Sequence, residues 1–179
     1  MGSQGGSSPE FFQKVRAARR AGDTAFLIEA LDSPIEASLA AGYLGELGAV
    51  EAIPSLLPLL ASPNPHDRAS AATALGQLGA AAASPLLREL AERDPVPWVR
   101  SWALGALVDV AGIEESRPSL HRALHEPDYC VRRTAVLRLG ASGRTQDVQH
   151  LREAQAAEKW WLRRNYRKAR SRIEKRERT

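Results

Sequence analysis

An all-α protein, built as a right-handed solenoid of about five helical pairs and closed by a basic C-terminal helix, is the fold this sequence predicts. Three observations carry the prediction. Among 179 residues there are 30 Ala and 22 Leu, while Phe, Tyr and Trp together reach 6% and Val and Ile are sparse, which is helix-forming rather than sheet-forming composition. Helix-like segments recur every 31 or 32 residues, the mark of a stacked repeat. With 44% apolar and 26% charged residues and one cysteine, the chain is long enough to bury a core and is neither a disordered segment nor a disulfide scaffold.

The first helical pair spans Pro9 to Ala21 and Thr24 to Leu31, joined by a Gly22-Asp23 turn. Four segments then align without gaps: Ala37 to Gly48, Arg68 to Gly79, Arg100 to Ala111 and Arg132 to Gly143, with a fifth starting at Arg163. Their fourth residues are Ala40, Ala71, Ala103, Ala135 and Tyr166, and their eighth are Leu44, Leu75, Leu107, Leu139 and Arg170. A small residue followed four later by Leu describes one helix face, where the small side chain admits a close neighbour and Leu fills the space beside it. A second apolar stripe follows each segment: Ile53, Leu56, Leu57 and Leu60; Leu86, Leu87 and Leu90; Leu120, Ala123 and Leu124; Val148 and Leu151. Pro54, Pro85 and Pro118 lie near the starts of three of these second helices, where a missing N–H removes no bond. Leu162, Tyr166, Ala169 and Ile173 form the one apolar stripe of the last helix. An atypical, polar-backed terminal unit is what stops a solenoid from stacking further.

The domain organisation expected from this reading is a Gly/Ser-rich disordered tail over 1–8, a repeat domain over 9–157, and a basic amphipathic capping helix and tail over 158–179. Charge is segregated in the same way. Residues 1–157 hold 15 Lys+Arg against 18 Asp+Glu, and residues 158–179 hold 10 against 3, so the tail alone makes the chain basic. Such asymmetry points to an electrostatic contact with nucleic acid, an acidic protein or a membrane surface, with a solvated helix end as the plain alternative. No apolar run is long enough to span a membrane and no basic, apolar leader opens the chain, so the expected setting is cytoplasmic.

The pattern Asp128, Val131, Arg132, Ala135, Leu139 and Gly140, echoed by Val99, Arg100, Ala103 and Leu107, resembles the HEAT-repeat superfamily, in particular the HEAT-like repeats of phycobilisome bilin lyases. Asp67 and Glu36 stand where that pattern has Val, and Ala37 replaces its Arg. The resemblance implies HEAT-like helical pairs over residues about 24 to 170. Such repeats serve as protein-binding scaffolds, bilin lyases, metal-dependent hydroxylases and alkylpurine DNA glycosylases.

Candidate chemistry is thin. His121 and His125, four apart, with His150 nearby and Glu126 or Asp147 as oxygen donors, could share a metal; as polar residues of a solvated helix face they would not. The family's hydroxylases use His-Glu pairs inside helices, whereas His125-Glu126 runs straight into Pro127. Its glycosylases line a concave cleft with aromatic residues and an Asp; Trp98, Trp102 and Asp109 fall on a first helix and do not match residue by residue. Trp98 and Trp102, with Trp161 at the position equivalent to Trp98, read as packing between repeats or as anchors for a partner. Arg68, Arg100, Arg132 and Arg163 read as a structural ladder, stacking on one another and pairing with turn carboxylates such as Asp94 and Asp128. Cys130 has no neighbouring His with an orienting third group.

The expected function is therefore a non-enzymatic scaffold, with no catalytic residue, metal or cofactor, binding an acidic protein through its concave face and basic last helix as a monomer. The contact residues expected are Arg117, His121, Arg122, Arg152, Trp160, Arg163, Arg164, Arg167 and Arg172. Nucleic acid is the alternative ligand, with the same arginines on phosphates and Trp160, Trp161 or Tyr166 for stacking. A HEAT-like lyase or DNA glycosylase is the third reading.

Overall fold

The computed structural model describes residues 9–160 and 162–178; the expected tail over 1–8 and Trp161 lie outside them. Every regular element among the described residues is helical. The chain divides into two compact units, the first ending at Ala83 and the second starting at Ser84.

The first unit holds α1 (Pro9–Ala21), α2 (Thr24–Glu29), α3 (Ala37–Leu47), α4 (Ile53–Leu56) and α5 (Pro65–Gln77). Asp23 starts α2 by accepting the Phe26 N–H at 3.0 Å, and Asn64 starts α5 by accepting the His66 N–H at 3.0 Å. Gly48 ends α3 at φ 69°, letting the Ala49 N–H return to the Leu44 carbonyl at 3.0 Å. The second helix expected from Ile53 to Leu60 is shorter: α4 has four residues and gives way to a 3-10 turn over Pro58–Ala61. Pro58 has no N–H to continue the ladder, so the α-helix stops there. Leu27, Ala40, Leu44, Leu56, Ala71 and Leu75 are fully buried. The small-residue rule is visible at Gly45, where a Cβ would stand 2.8 Å from the Ala74 Cα, so α3 and α5 touch almost backbone to backbone.

The second unit holds α6 (Ser84–Arg93), α7 (Pro97–Ala123), α8 (Tyr129–Ser142), α9 (Thr145–Ala157) and α10 (Arg163–Arg176). The two helices expected within α7 are there as two arms, broken at Gly112 with φ 77°. Only glycine takes that conformation without strain. The buried Ser116 hydroxyl donates to the Gly112 carbonyl at 2.7 Å. Pro118 consequently sits inside the second arm and not in its first turn as the sequence predicts. Leu87, Val99, Leu107, Leu120, Val131, Leu139 and Leu151 form the core. As expected, α10 buries Tyr166, Ala169 and Ile173 against α8 and α9, with Leu162 half-buried ahead of them. A Cβ on Gly140 would lie 2.9 Å from the Ala169 Cβ, repeating the close approach seen at Gly45.

The arginine ladder is structural, and it adds helix-end carbonyls to the turn carboxylates expected as partners. Arg68 donates to the Ser62 carbonyl, Arg100 to that of Asp94 and Arg132 to that of Glu126, each at 2.8 Å and each six residues back; Arg163 reaches the Glu158 carbonyl at 2.9 Å. These are the orphan carbonyls at the end of each preceding helix, and a cation is well placed there. In the second unit the same guanidinium then reaches forward 26 residues to a carboxylate, Arg100 to Glu126 at 2.8 Å and Arg132 to Glu158 at 2.7 Å. The Asp128 carboxylate instead caps its own helix, accepting the Cys130 N–H at 2.8 Å.

Candidate partner-binding surface

The second helices of the second unit are α6, the second arm of α7, and α9. They carry the sequence-predicted contacts Arg117, His121, Arg122 and Arg152, and on these helices nearly every cation already has a partner. Arg117 donates through Nε to Asp147 at 3.0 Å and through its Nη atoms to Glu114. His121 Nε2 lies 2.7 Å from the same Asp147 oxygen, and its ring stacks on His150 with centroids 3.8 Å apart. Arg122 pairs with Glu92, Arg88 with Glu115 at 3.1 Å, Arg144 with Glu114 at 3.0 Å, and Arg152 with Glu174 of α10 at 3.8 Å.

Asp147 is the hub of this face, and sequence reading cast it only as a possible metal oxygen. Its side chain is 0% exposed. Burial alone would raise its pKa, yet the Arg144 N–H at 2.7 Å, His121 and Arg117 outweigh burial and hold the carboxyl below the ordinary carboxylate range. Desolvation and the neighbouring His150 push His121 the other way from a free imidazole, below its usual value, despite the bond to Asp147. The Glu114 and Asp147 bonds, working against burial, push the Arg117 pKa up. Asp147, His121 and Arg117 thus form a packed polar network rather than separate side chains on a solvated face. No group of three or more His, Cys, Asp or Glu side chains among the described residues is arranged to hold a metal ion.

The last helix is different. Its inner side is tied down: Tyr166 lies against Glu158, its hydroxyl donating at 3.3 Å, and burial followed by the Glu158 charge moves its pKa up to about 12. Tyr166 is therefore not available for stacking as the sequence suggested. Arg163 is taken up by the Glu158 and Ala156 carbonyls. Arg164, Arg167, Lys168, Arg172 and Lys175 are exposed, and none forms an ion pair among the described residues. Five such cations lie within about 17 Å of helix at 1.5 Å per residue. Trp160, 77% exposed, stands just before them.

The tryptophans of α7 do not behave as buried repeat packing. Trp98 is half-buried and Trp102 is 56% exposed. Both line a cleft of about 370 Å³ between the first arm of α7 and α8.

The HEAT repeats family model matches residues 24–108. No curated protein sequence matches the chain. Among solved structures, the complex of CpcE and CpcF of phycocyanin lyase from Nostoc sp. PCC7120 aligns at 21% identity and TM-score 0.66, covering 83% of this chain and 98% of that one. Human deoxyhypusine hydroxylase in complex with glycerol aligns at 16% identity and TM-score 0.51, covering 94% and 92%. An engineered protein aligns at 20% identity and TM-score 0.52, covering 90% and 83%. What these three share with the chain is the all-helical, solenoid-like fold.

Proposed function

We propose that this chain, whose residues 24–108 match the HEAT repeats family model, works as a non-enzymatic scaffold that binds an acidic partner protein through the outer side of α10. One observation supports this above others. Arg88, Arg117, Arg122 and Arg152 of the second helices are matched by carboxylates, whereas Arg164, Arg167, Lys168, Arg172 and Lys175 are exposed and unmatched. Like charges this dense repel one another and are relieved when an anionic surface covers them. Arg117 and His121 then contribute rigidity through Asp147, while Arg122 and Arg152 have their charge already balanced by Glu92 and Glu174. The CpcE–CpcF assembly, a complex of two chains on a similar fold, is consistent with a protein partner. No helix of the described residues is long and apolar enough to cross a membrane.

Trp160 favours one second reading, nucleic-acid binding, since an exposed indole beside unpaired cations can stack on a base while the arginines take phosphates. Charge reversal separates the readings. Arg164→Glu, Arg167→Glu and Arg172→Glu together leave melting nearly unchanged and abolish binding of a labelled 20-residue polyglutamate. If nucleic acid is the ligand, a 20-nucleotide single strand binds wild type more tightly than polyglutamate, and its affinity falls steeply with salt. Wild type that binds neither polyanion refutes both readings.

A further inference from the structure

The first arm of α7, α8 and α10 each present a pair of residues one helical turn apart on the first-helix side of the second unit: Trp98 and Trp102, Arg133 and Leu137, Lys168 and Arg172. The first two pairs line the 370 Å³ cleft, and Leu137 with the third pair lines a neighbouring cleft between α8 and α10. Leu137, 42% exposed, is the ridge common to both. Small residues set the depth of both clefts. Gly105 has no side chain, and the Arg138 guanidinium lies over it, held by Asp109 in a two-pronged pair at 2.5 and 2.8 Å. Further along, Gly140 and Ala169 bring α8 and α10 so close that only a shallow furrow remains above them.

The polar atoms of the floor are spent on each other. Ser101 and Thr134 share a hydrogen bond at 2.8 Å, and the Ser101 hydroxyl also lies 3.3 Å from the Cys130 carbonyl. That floor offers an incoming group apolar surface rather than hydrogen-bond donors. Along the rim, Arg133, Lys168 and Arg172 are exposed and form no ion pair among the described residues, while Asp109 is already taken by Arg138. An exposed indole and leucine ringed by unpaired cations match a segment that is apolar on one stripe and acidic beside it.

We infer that these paired clefts dock an acidic amphipathic helix of a partner protein, with an apolar side chain against Trp102 and Leu137 and carboxylates on Arg133, Lys168 and Arg172. The inference rests on the reading that α10 takes an acidic partner, and adds where that partner lies and that it must carry an apolar stripe.

Two labelled 20-residue synthetic peptides of equal glutamate content test it, one with leucines at helical spacing and one with those leucines replaced by glutamine. Fluorescence anisotropy on wild type gives about tenfold or greater preference for the leucine peptide, as burial of a leucine side chain produces. Trp102→Ala combined with Leu137→Gln binds both peptides with the affinity wild type has for the glutamine peptide. Arg133→Glu, which leaves α10 intact, weakens the leucine peptide several-fold and serves if the double variant does not fold. Equal binding of the two peptides by wild type overturns the groove and leaves the α10 reading standing. Binding of neither removes both. A DNA duplex that displaces the leucine peptide and binds the double variant with unchanged affinity makes this a surface for phosphates and overturns the inference.

Discussion

Replacing Asp147 with Ala removes the acceptor on which three donors converge. The side chain is 0% exposed, and it accepts the Arg144 N–H at 2.7 Å, Arg117 Nε at 3.0 Å and His121 Nε2 at 2.7 Å. Arg117, 12% exposed, would keep Glu114, whose own side chain is mostly in water, and the neutral Gln146 amide, neither of which replaces the buried charge. Breaking one partner of a buried ionic network costs about 3–5 kcal/mol, because the surviving charge stays desolvated. Against a total stability of about 5–15 kcal/mol this is a large fraction. Asp147→Asn keeps the shape and one acceptor but loses the charge, and should cost about 1.5–3 kcal/mol, the range for a hydrogen bond to a charged group. Urea denaturation followed by circular dichroism at neutral pH measures both. The effect must also fade in acid: the folded carboxyl has a lowered pKa, so its contribution is full above the unfolded value of about 3.9 and disappears as pH falls through the lower folded value. Wild type and Asp147→Ala therefore converge at low pH. A loss below about 1 kcal/mol at pH 7, or a gap that widens in acid, would refute the buried network.

Other expectations follow from the same geometry. Gly140→Val meets Ala169 backbone and should destabilise by about 1–3 kcal/mol, whereas Gly105→Ala meets only the end of the Arg138 side chain and should stay within about 1 kcal/mol, both read by urea denaturation. Leu107→Ala opens a cavity in the core and should cost about 2–5 kcal/mol, while Trp102→Ala, at a half-exposed site, should cost under about 1 kcal/mol; equal losses would put Trp102 in the core after all. Because His121 has a lowered pKa, the unfolded chain binds its proton first, so stability falls as pH drops below about 6.5. His121→Asn should flatten that slope below about pH 6.5, which thermal melting at stepped pH would show.

Local rules were enough to read the repeat. Ala at the fourth position and Leu at the eighth, in four of the five segments, report burial directly, since the face against the next helix excludes water; Tyr166 in the fifth is buried with its hydroxyl on Glu158. The stripe Tyr166, Ala169 and Ile173 was legible for the same reason. Pro58, by contrast, shortened a helix that its apolar spacing extended, and Gly112 let two helices run on as one bent element in which Pro118 became interior.

Charge pairing between helices belongs to the tertiary structure, unlike the local Arg117–Glu114 pair three residues apart on one helix. Arg117, Arg122 and Arg164 look equivalent as residues, yet packing places Asp147 and Glu92 against the first two and leaves water against the third. Ion pairs such as Arg117–Asp147 and Arg132–Glu158 join residues 26 to 30 positions apart, a span set by how one repeat leans on the next. The same holds for Trp102, whose helix face was readable but whose exposure depends on how much of it the neighbouring helix covers. Periodicity says which side of a helix is inside; only the distance and tilt of the next helix decide which outward side chains find a partner.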